Sequence, residues 1–298
     1  MLVGMDHHDH GDHQNAHTHH HHHDDDFDWA AMADHLESEA EAYRPFYEGA
    51  LDLIEVGAPQ RILDVGSGPG FAAVLLAQRF PDAEVIAVDG APELLERATE
   101  RAKDAGVRIG TRVAQFPEGL ADLPAADLVW VSNAVHHVGD QVGALRALAA
   151  TLRPGGVLAV AEGGLAPRWL PKELGFGRSG LQERLDAAQA ERYARMRDEL
   201  PGSVIVADDW VALLAEAGLP GAVSRSVLVD RPAPASDIVR RIARANLARF
   251  RDMIGADLDS TDQAALDRLL DPADPASVDL RPDLFLLAAR TVHLARKV

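Results

Sequence analysis

The stretch Ile62-Leu63-Asp64-Val65-Gly66-Ser67-Gly68-Pro69-Gly70 decides the fold class of this chain. An apolar run ends in three glycines spaced G-x-G-x-G, a pattern typical of a strand, a tight turn and a helix. About 20 residues later, a second apolar run at 85–88 ends in Asp89. A carboxylate at the end of such a strand is suited to the hydroxyls of a ribose. The two runs therefore predict a βαβ unit that binds a nucleoside-type cofactor.

The glycine spacing narrows the choice of cofactor. A dinucleotide site favours G-x-G-x-x-G, because a pyrophosphate sits against the helix N-terminus. Here Gly70 comes one residue earlier, and no Lys-Ser or Lys-Thr pair follows to form a P-loop. Asp64 would repel a pyrophosphate, but it tolerates a cationic amino-acid cofactor. A dinucleotide is therefore disfavoured.

An acid followed by G-x-G-x-G resembles the first motif of the class I S-adenosylmethionine-dependent methyltransferases. Three further segments resemble that family in chain order. Asp89 ends the second strand, residues 127–138 are similar to the fourth strand with the segment under the cofactor, and residues 152–160 carry an L-x-P-G-G-type turn into a fifth strand. Four signatures in the correct order are more specific than one glycine motif.

One position departs from the family pattern. Many relatives carry an acid at the end of the third strand, where it accepts a hydrogen bond from the adenine amino group, but this chain has Gln115. A glutamine carbonyl oxygen also accepts such a bond. The neighbouring Phe116 is expected to pack on the adenine face.

The resemblance implies a cofactor site for S-adenosylmethionine with Asn133 contributing its backbone. The predicted site residues are Asp64, Gly66, Ser67, Gly68, Gly70, Asp89, Gly90, Gln115, Phe116, Asn133 and Ala134. His136 and His137 follow the fourth strand and are the candidate general bases, needed only if the acceptor loses a proton. Alternatively, both histidines are structural features of this segment.

Short apolar runs alternate with helical patterns between residues 60 and 163. The runs lie at 61–65, 84–89, 108–114, 127–132 and 157–161, and the helical patterns at 70–80, 91–105 and 141–153. Such alternation predicts a parallel sheet with helices on both faces and a ligand at the carboxyl ends of the strands. Strand patterns at 222–229 and 284–293 follow. With the resemblance, they predict an α/β, doubly wound, mostly parallel seven-stranded Rossmann-like sheet with an antiparallel last strand.

The domain organisation is predicted from changes of pattern along the chain. Residues 27–58 form N-terminal lid helices, in which Trp29, Tyr43 and Tyr47 either cover the cofactor or anchor the helices to the sheet. Residues 59–298 form the methyltransferase domain, with helical insertions at about 165–205 and about 231–281. In the second insertion, Ser260 and Gln263 are expected to form a capping box.

Residues 1–26 are rich in histidine and aspartate and have almost nothing apolar to bury, so they are expected to form a disordered tail. Its imidazoles are expected to bind divalent metals incidentally, and we predict no metal in the active site.

Composition excludes several partners. A formal net charge of −18 argues against a nucleic-acid groove and an anionic membrane surface. The chain has no cysteine, which excludes disulfides and thiolate catalysis. It has no long apolar window and no signal-peptide core, so a cytoplasmic protein is expected.

The leading hypothesis is an enzyme that transfers a methyl group from S-adenosylmethionine to a small-molecule acceptor, by in-line displacement. Two insertions suggest an enclosed pocket, but the sequence does not identify the acceptor. The alternatives are an NAD(P)-dependent oxidoreductase, and a non-catalytic cofactor-binding or metal-handling protein on the same fold.

Overall fold

The computed structural model describes residues 29–298, with side chains from residue 32 onward. The predicted His/Asp-rich tail and the side chain of Trp29 lie outside this part of the chain. Seven strands are present there: β1 (Arg61–Val65), β2 (Glu84–Asp89), β3 (Gly110–Val113), β4 (Ala126–Ser132), β5 (Leu152–Arg168), β6 (Val223–Arg231) and β7 (Leu286–Arg296). The α-helices are α1 (Trp29–Ala42), α2 (Arg44–Asp52), α3 (Phe71–Arg79), α4 (Pro92–Asp104), α5 (Gln141–Ala150), α6 (Leu181–Glu199), α7 (Trp210–Glu216), α8 (Asp237–Ile254) and α9 (Ser260–Leu270).

The strands form one sheet in the order β3-β2-β1-β4-β5-β7-β6. Strands β1 to β5 pair in parallel, whereas β7 lies antiparallel between β5 and β6. The order reverses between β1 and β4, and this is where a doubly wound sheet opens a crevice for its ligand. The predicted fold class is confirmed.

Two apolar cores cover the two faces of the sheet. Successive side chains of a strand point to opposite faces. In β4, Leu128 and Trp130 accordingly pack in the core beneath α2, α3, α8 and α9, while Val129 and Val131 pack in the core beneath α5 and α7. All four of these β4 side chains are fully buried. Strand β4 is therefore held from both sides, and its carboxyl end has a fixed position.

Helix α2 is anchored to the sheet by aromatic side chains. The rings of Phe46 and Tyr47 lie 6.4 and 6.2 Å from the ring of Trp130. Tyr47 also lies 5.0 Å from Phe71, the first residue of α3. Of the two roles considered for Tyr47, this packing matches the anchoring one.

The segments after β5 pack on one another through charged groups as well as apolar ones. Asp262 on α9 is buried and accepts hydrogen bonds from Arg178 and Arg184. These bonds hold the pKa of Asp262 at about 2, because the Arg184 guanidinium bonds to the carboxylate and the Arg178 guanidinium does so as well. The domain boundaries predicted for the N-terminal helices and the two insertions are a separate matter, and they stay a prediction.

The expected capping box of α9 is wrong. The N-cap residue is Asp259, whose carboxylate accepts from the backbone N–H groups of Thr261 and Asp262. Gln263 donates instead to the carbonyl oxygens of Gly255 and Leu258. An aspartate accepts at an N-cap at least as well as a serine, so the helix is capped one residue earlier.

Five strands, β3 to β7, differ from their predicted bounds, and β3 and β5 differ most in length. Strand β3 spans only four residues at the edge of the sheet, and β5 continues to Arg168 with register shifts after Ala161. Among the described residues, no helix has both the length and the apolar character to cross a bilayer.

Candidate active site

The glycine loop between β1 and α3 has the backbone geometry that its sequence requires. Gly66, Gly68 and Gly70 adopt φ values of 66°, 51° and 76°, a region that favours glycine. A Cβ atom on Gly70 would lie 2.5 Å from the Cβ of Ala98 on α4, so even alanine does not fit there. The loop therefore brings main-chain amides to the carboxyl end of β1 without obstruction from side chains.

Asp89 joins the end of β2 to this loop. Its Oδ2 accepts a hydrogen bond from the Gly68 N–H at 2.8 Å, and its Oδ1 accepts from the Ala91 N–H at 3.0 Å. Burial raises the pKa of Asp89, while the bonds from Ala91, Gly68 and Gly90 act in the opposite direction. Each carboxylate oxygen has more than one acceptor site, so these bonds leave capacity for a ligand hydroxyl.

Asp64 lies beneath the loop in the middle of the sheet. Its side chain is buried, and Oδ2 has no hydrogen-bond partner within the described chain. Burial raises the pKa of Asp64 to about 7, against the effect of a bond from the Ala73 backbone, and the charge of Asp89 raises it further. The hydroxyl of Ser67 is also buried and unpartnered within the same residues.

Two unpartnered polar atoms beside a glycine loop fit a polar, cationic ligand. A buried acceptor without a partner is unfavourable, and a ligand donor relieves this. S-adenosylmethionine carries an ammonium group, a sulfonium and ribose hydroxyls. The carboxylates of Asp64 and Asp89 with the hydroxyl of Ser67 therefore match its chemistry.

The predicted adenine-side residues lie beside the second strand. A Cβ atom on Gly90 would lie 2.5 Å from Oε1 of Gln115, so the structure brings these two predicted residues together. Gln115 is exposed, and Phe116 is partly buried against the core beneath α5. Gln115 and Phe116 lie beyond the end of β3 at Val113.

Glu162, near the carboxyl end of β4 on the adjacent strand β5, organises the segment that follows β4. This buried carboxylate accepts from the N–H groups of Ala134 and Val135 at 2.9 and 2.8 Å through Oε1. Its Oε2 lies 2.8 Å from Nδ1 of His136. Asn133 precedes these residues with φ of 52°, a left-handed conformation that asparagine tolerates.

The two candidate bases have different surroundings. His136 is partly buried with Nδ1 on Glu162, whereas His137 is exposed, and their ring centres lie 4.0 Å apart. A carboxylate at Nδ1 fixes the ring orientation and favours a proton on that nitrogen. Helix α6 reaches the same segment, since Arg197 donates to the carbonyl oxygens of His136 and Val138 at 2.8 and 2.9 Å.

Sequence reasoning did not select Glu162 or Arg290 as site residues. Glu162 directly follows the predicted strand at 157–161, and this position was the signal that could have identified it as a site residue. Arg290 interrupts the apolar run of β7, and its guanidinium donates to Oδ1 of Asn133 at 2.5 Å and to Glu39 of α1 at 3.0 Å. An arginine that follows the apolar run 284–289 within a predicted strand was the available signal.

Comparison with known proteins identifies the family to which the chain belongs. A family model described as a methyltransferase domain matches residues 62–156. The chain is 30% identical to trans-aconitate 2-methyltransferase of Rhodococcus jostii (strain RHA1) over 259 residues, which are 86% of this chain and 91% of that protein. It is 28% identical to the protein of the same name from Methylobacterium nodulans over 271 residues, 89% and 99% of the two chains. Malonyl-[acyl-carrier protein] O-methyltransferase of Dechloromonas aromatica is 40% identical over 123 residues, 40% of this chain and 41% of that protein.

The chain therefore belongs to the class I S-adenosylmethionine-dependent methyltransferases. It is a transferase and uses S-adenosylmethionine, as the sequence motifs predicted. Membership of this family excludes the NAD(P)-dependent oxidoreductase that was the main alternative.

From the raised pKa of Asp64 we predict how the free energy of unfolding varies with pH. Its pKa is raised to about 7 in the folded protein, against about 4 in an unfolded chain. Between these values the unfolded state releases the proton and the folded state keeps it, so the free energy of unfolding falls as pH rises. Asp64→Asn should raise the free energy of unfolding at pH 8 by about 2–4 kcal/mol, and by less at pH 5. Urea unfolding at both values tests this, with the exposed Asp82→Asn as control. An equal difference at the two pH values would contradict the burial argument.

Replacement of Asp89 tests the proposed ribose contact. Asp89→Ala should weaken S-adenosylmethionine binding by about 1–3 kcal/mol, because charge-assisted hydrogen bonds are lost and the Gly68 amide loses its partner. Calorimetric titration measures the dissociation constant. Asp82→Ala, which removes an exposed acid from the turn before β2, should leave it unchanged. The ribose assignment fails if both variants bind alike.

Glu162 should be important for stability. Glu162→Gln replaces a buried acceptor of three hydrogen bonds by an amide that accepts through only one oxygen. We expect the free energy of unfolding to fall by about 2–4 kcal/mol in urea denaturation at pH 7. The exposed Glu118→Gln is the control, and a variant of Glu162 as stable as that control would refute the described bonding.

Proposed function

We propose that this enzyme methylates a carboxylate oxygen of a small polycarboxylic acid of the trans-aconitate type. The observation that carries the proposal is the length of the similarity to the trans-aconitate 2-methyltransferases. It extends over 259 residues and so goes well beyond the 62–156 segment that the general methyltransferase model matches. The additional residues lie largely after β5, in the region predicted to cover the acceptor.

The chemistry of such an acceptor suits a site with no obligatory base. S-adenosylmethionine supplies, when bound, a methyl group on a positively charged sulfur. Transfer forms an oxygen–carbon bond on the acceptor and breaks the carbon–sulfur bond, and the sulfur keeps the electron pair. Because a carboxylate is already ionised at neutral pH, no proton is removed in this reaction. The protein then needs to align the two groups and exclude water.

The proposal assigns a role to each group of site residues. The cofactor residues predicted from the sequence, from Asp64 to Ala134, are proposed to hold S-adenosylmethionine. His136 and His137 were predicted as bases, and with this acceptor His136 instead orients the segment after β4 through its bond to Glu162. The helices α6, α8 and α9 are proposed to enclose the acceptor.

The direct test is turnover with trans-aconitate. Purified enzyme, S-adenosylmethionine and trans-aconitate should yield S-adenosylhomocysteine and a singly methylated ester in equal amounts, which mass spectrometry resolves. Omission of trans-aconitate is the control for background hydrolysis. Absence of an ester with this acid and with other di- and tricarboxylates would refute the proposal.

The histidines distinguish a carboxylate acceptor from one that must lose a proton. With trans-aconitate, His136→Gln and His137→Gln should each keep at least about a tenth of the wild-type kcat, because loss of a general base lowers rates about 10²–10⁴-fold. At saturating S-adenosylmethionine, when Asp64 is paired with the cofactor, the wild-type kcat should also show no inflection near pH 6.5, the ordinary pKa of histidine. Initial rates between pH 6 and 8 measure both effects. A 1,000-fold loss in either variant would indicate base catalysis.

A further inference from the structure

Arg290 lies at the edge of the sheet where ligands bind. In the β5–β7 ladder it pairs with Gly164, two residues beyond Glu162. Its side chain reaches across to the end of β4, where Nη1 donates to Oδ1 of Asn133. The guanidinium therefore lies next to the segment that carries His136, on the side opposite Asp64 and the glycine loop in the strand order.

The surrounding side chains fix the position of this guanidinium. Its Cζ lies 4.4 Å from the ring centre of Tyr43, and Nη2 donates to Oε1 of Glu39 at 3.0 Å. Burial raises the pKa of Tyr43 to about 12, so the phenol stays neutral beside the cation. A guanidinium has five N–H donors, and the bonds to Asn133 and Glu39 leave donors for a further acceptor.

The Arg290 side chain is also accessible. It is 23% exposed, although it contacts α1, the α1–α2 junction and the end of β4. Arg197, the other arginine bonded to this segment, uses Nη1 on the carbonyl oxygens of His136 and Val138. In a chain with a formal net charge of −18, an anionic acceptor needs a local cation to bind, and Arg290 supplies one.

We propose that Arg290 binds the carboxylate of the acceptor that is not methylated, and so selects polycarboxylic over monocarboxylic acids. The inference rests on the proposed function, since it names the residue that reads the acceptor. A guanidinium suits a planar carboxylate, which it binds through two parallel hydrogen bonds. One carboxylate held at β7 directs another toward the cofactor.

Glu39 has a defined part in this arrangement. Without acceptor it neutralises the guanidinium, and with acceptor it competes with the incoming carboxylate for the same charge. Asn133 carries no charge and keeps Arg290 aligned with the end of β4. Removal of the Glu39 charge should therefore strengthen acceptor binding, whereas removal of the Arg290 charge should weaken it.

The first experiment measures kcat and KM for trans-aconitate, fumarate and crotonate, which have three, two and one carboxylates. Arg290→Gln should raise KM for the tri- and dicarboxylate about 10- to 100-fold and change the value for crotonate less than about threefold. Arg290→Lys should fall between, because it keeps the charge but not the paired donors. Arg296→Gln removes an arginine from the other end of β7, where it donates to Gly155 and Glu55, and should behave as wild type.

The second experiment uses the sign of the Glu39 effect. Glu39→Gln should lower KM for trans-aconitate about 2- to 5-fold, since a competing charge is removed. Glu48→Gln, which removes an exposed acid from α2, should leave KM unchanged. If the ion pair only fastened α1 to the sheet, Glu39→Gln would lower the melting temperature and would not lower KM. That result, or an Arg290→Gln variant with wild-type selectivity, would overturn the assignment.

Calorimetry separates this assignment from the proposed function. Trans-aconitate is titrated into wild type and Arg290→Gln, each saturated with S-adenosylhomocysteine. Binding that depends on Arg290 supports the anchor even if no ester forms, in which case only the proposed reaction fails. Ester formation with unchanged binding in Arg290→Gln leaves the reaction standing and refutes the anchor. Absence of binding to wild type refutes both.

Discussion

The reversal of strand order between β1 and β4 is the constraint on which the rest of the molecule depends. Crossovers from β1 lead to β2 and β3 on one side, and those from β4 lead to β5 on the other. The loops at the carboxyl ends of β1 and β4 therefore diverge and leave a crevice between them. The glycine loop forms one wall of this crevice, and the Asn133–His136 segment forms the other. Both apolar cores hold β4 in place, so the wall it carries is rigid.

Four carboxylates lie around this crevice, and the protein accommodates each in a different way. Asp89 accepts backbone amides, Glu162 accepts two amides and an imidazole, and Glu39 pairs with Arg290. Oδ2 of Asp64 accepts no hydrogen bond from the described residues. Burial raises the pKa of Asp64, and the side chain takes up a proton more readily than an exposed aspartate. An acidic cleft suits a cationic cofactor and is unfavourable for an anionic acceptor. Under the assignment that we propose, Arg290 on β7 would bind the anion at a separate place, away from the acids beneath the glycine loop.

The sequence was sufficient for the parts of the site that depend on local geometry. The glycines, Asp64 and Asp89 follow from one βαβ unit, in which a strand, a turn and a helix are adjacent along the chain. The same is true of β1 and β2, whose apolar runs predicted the bounds of both strands to the residue.

The other half of the site depends on contacts between distant residues. Asn133 and Arg290 are separated by 157 positions, and Glu162 meets His136 across 26. The first contact requires the pairing of β7 with β5 and the second the pairing of β5 with β4, and no single segment reveals either pairing. The contact of Arg197 with His136 is similar, because the pattern of α6 predicts a helix but not the backbone carbonyls that it reaches. The N-cap of α9 is a related case, because the neighbouring residues Asp259 and Ser260 are both suitable caps and the sequence does not show which one is used.

The position of β7 has a consequence for how the protein is made. This strand lies between β5 and β6, although it follows both along the chain. On a ribosome, β6 emerges while the place beside it is still vacant, and it has no neighbour in the sheet until β7 arrives. Arg290 and the histidine that touches the carbonyl of Glu162, His293, arrive on that same strand. The strands that carry the glycine loop and Asp89 thus pair independently of β7, whereas the proposed acceptor side needs β7 in place between β5 and β6.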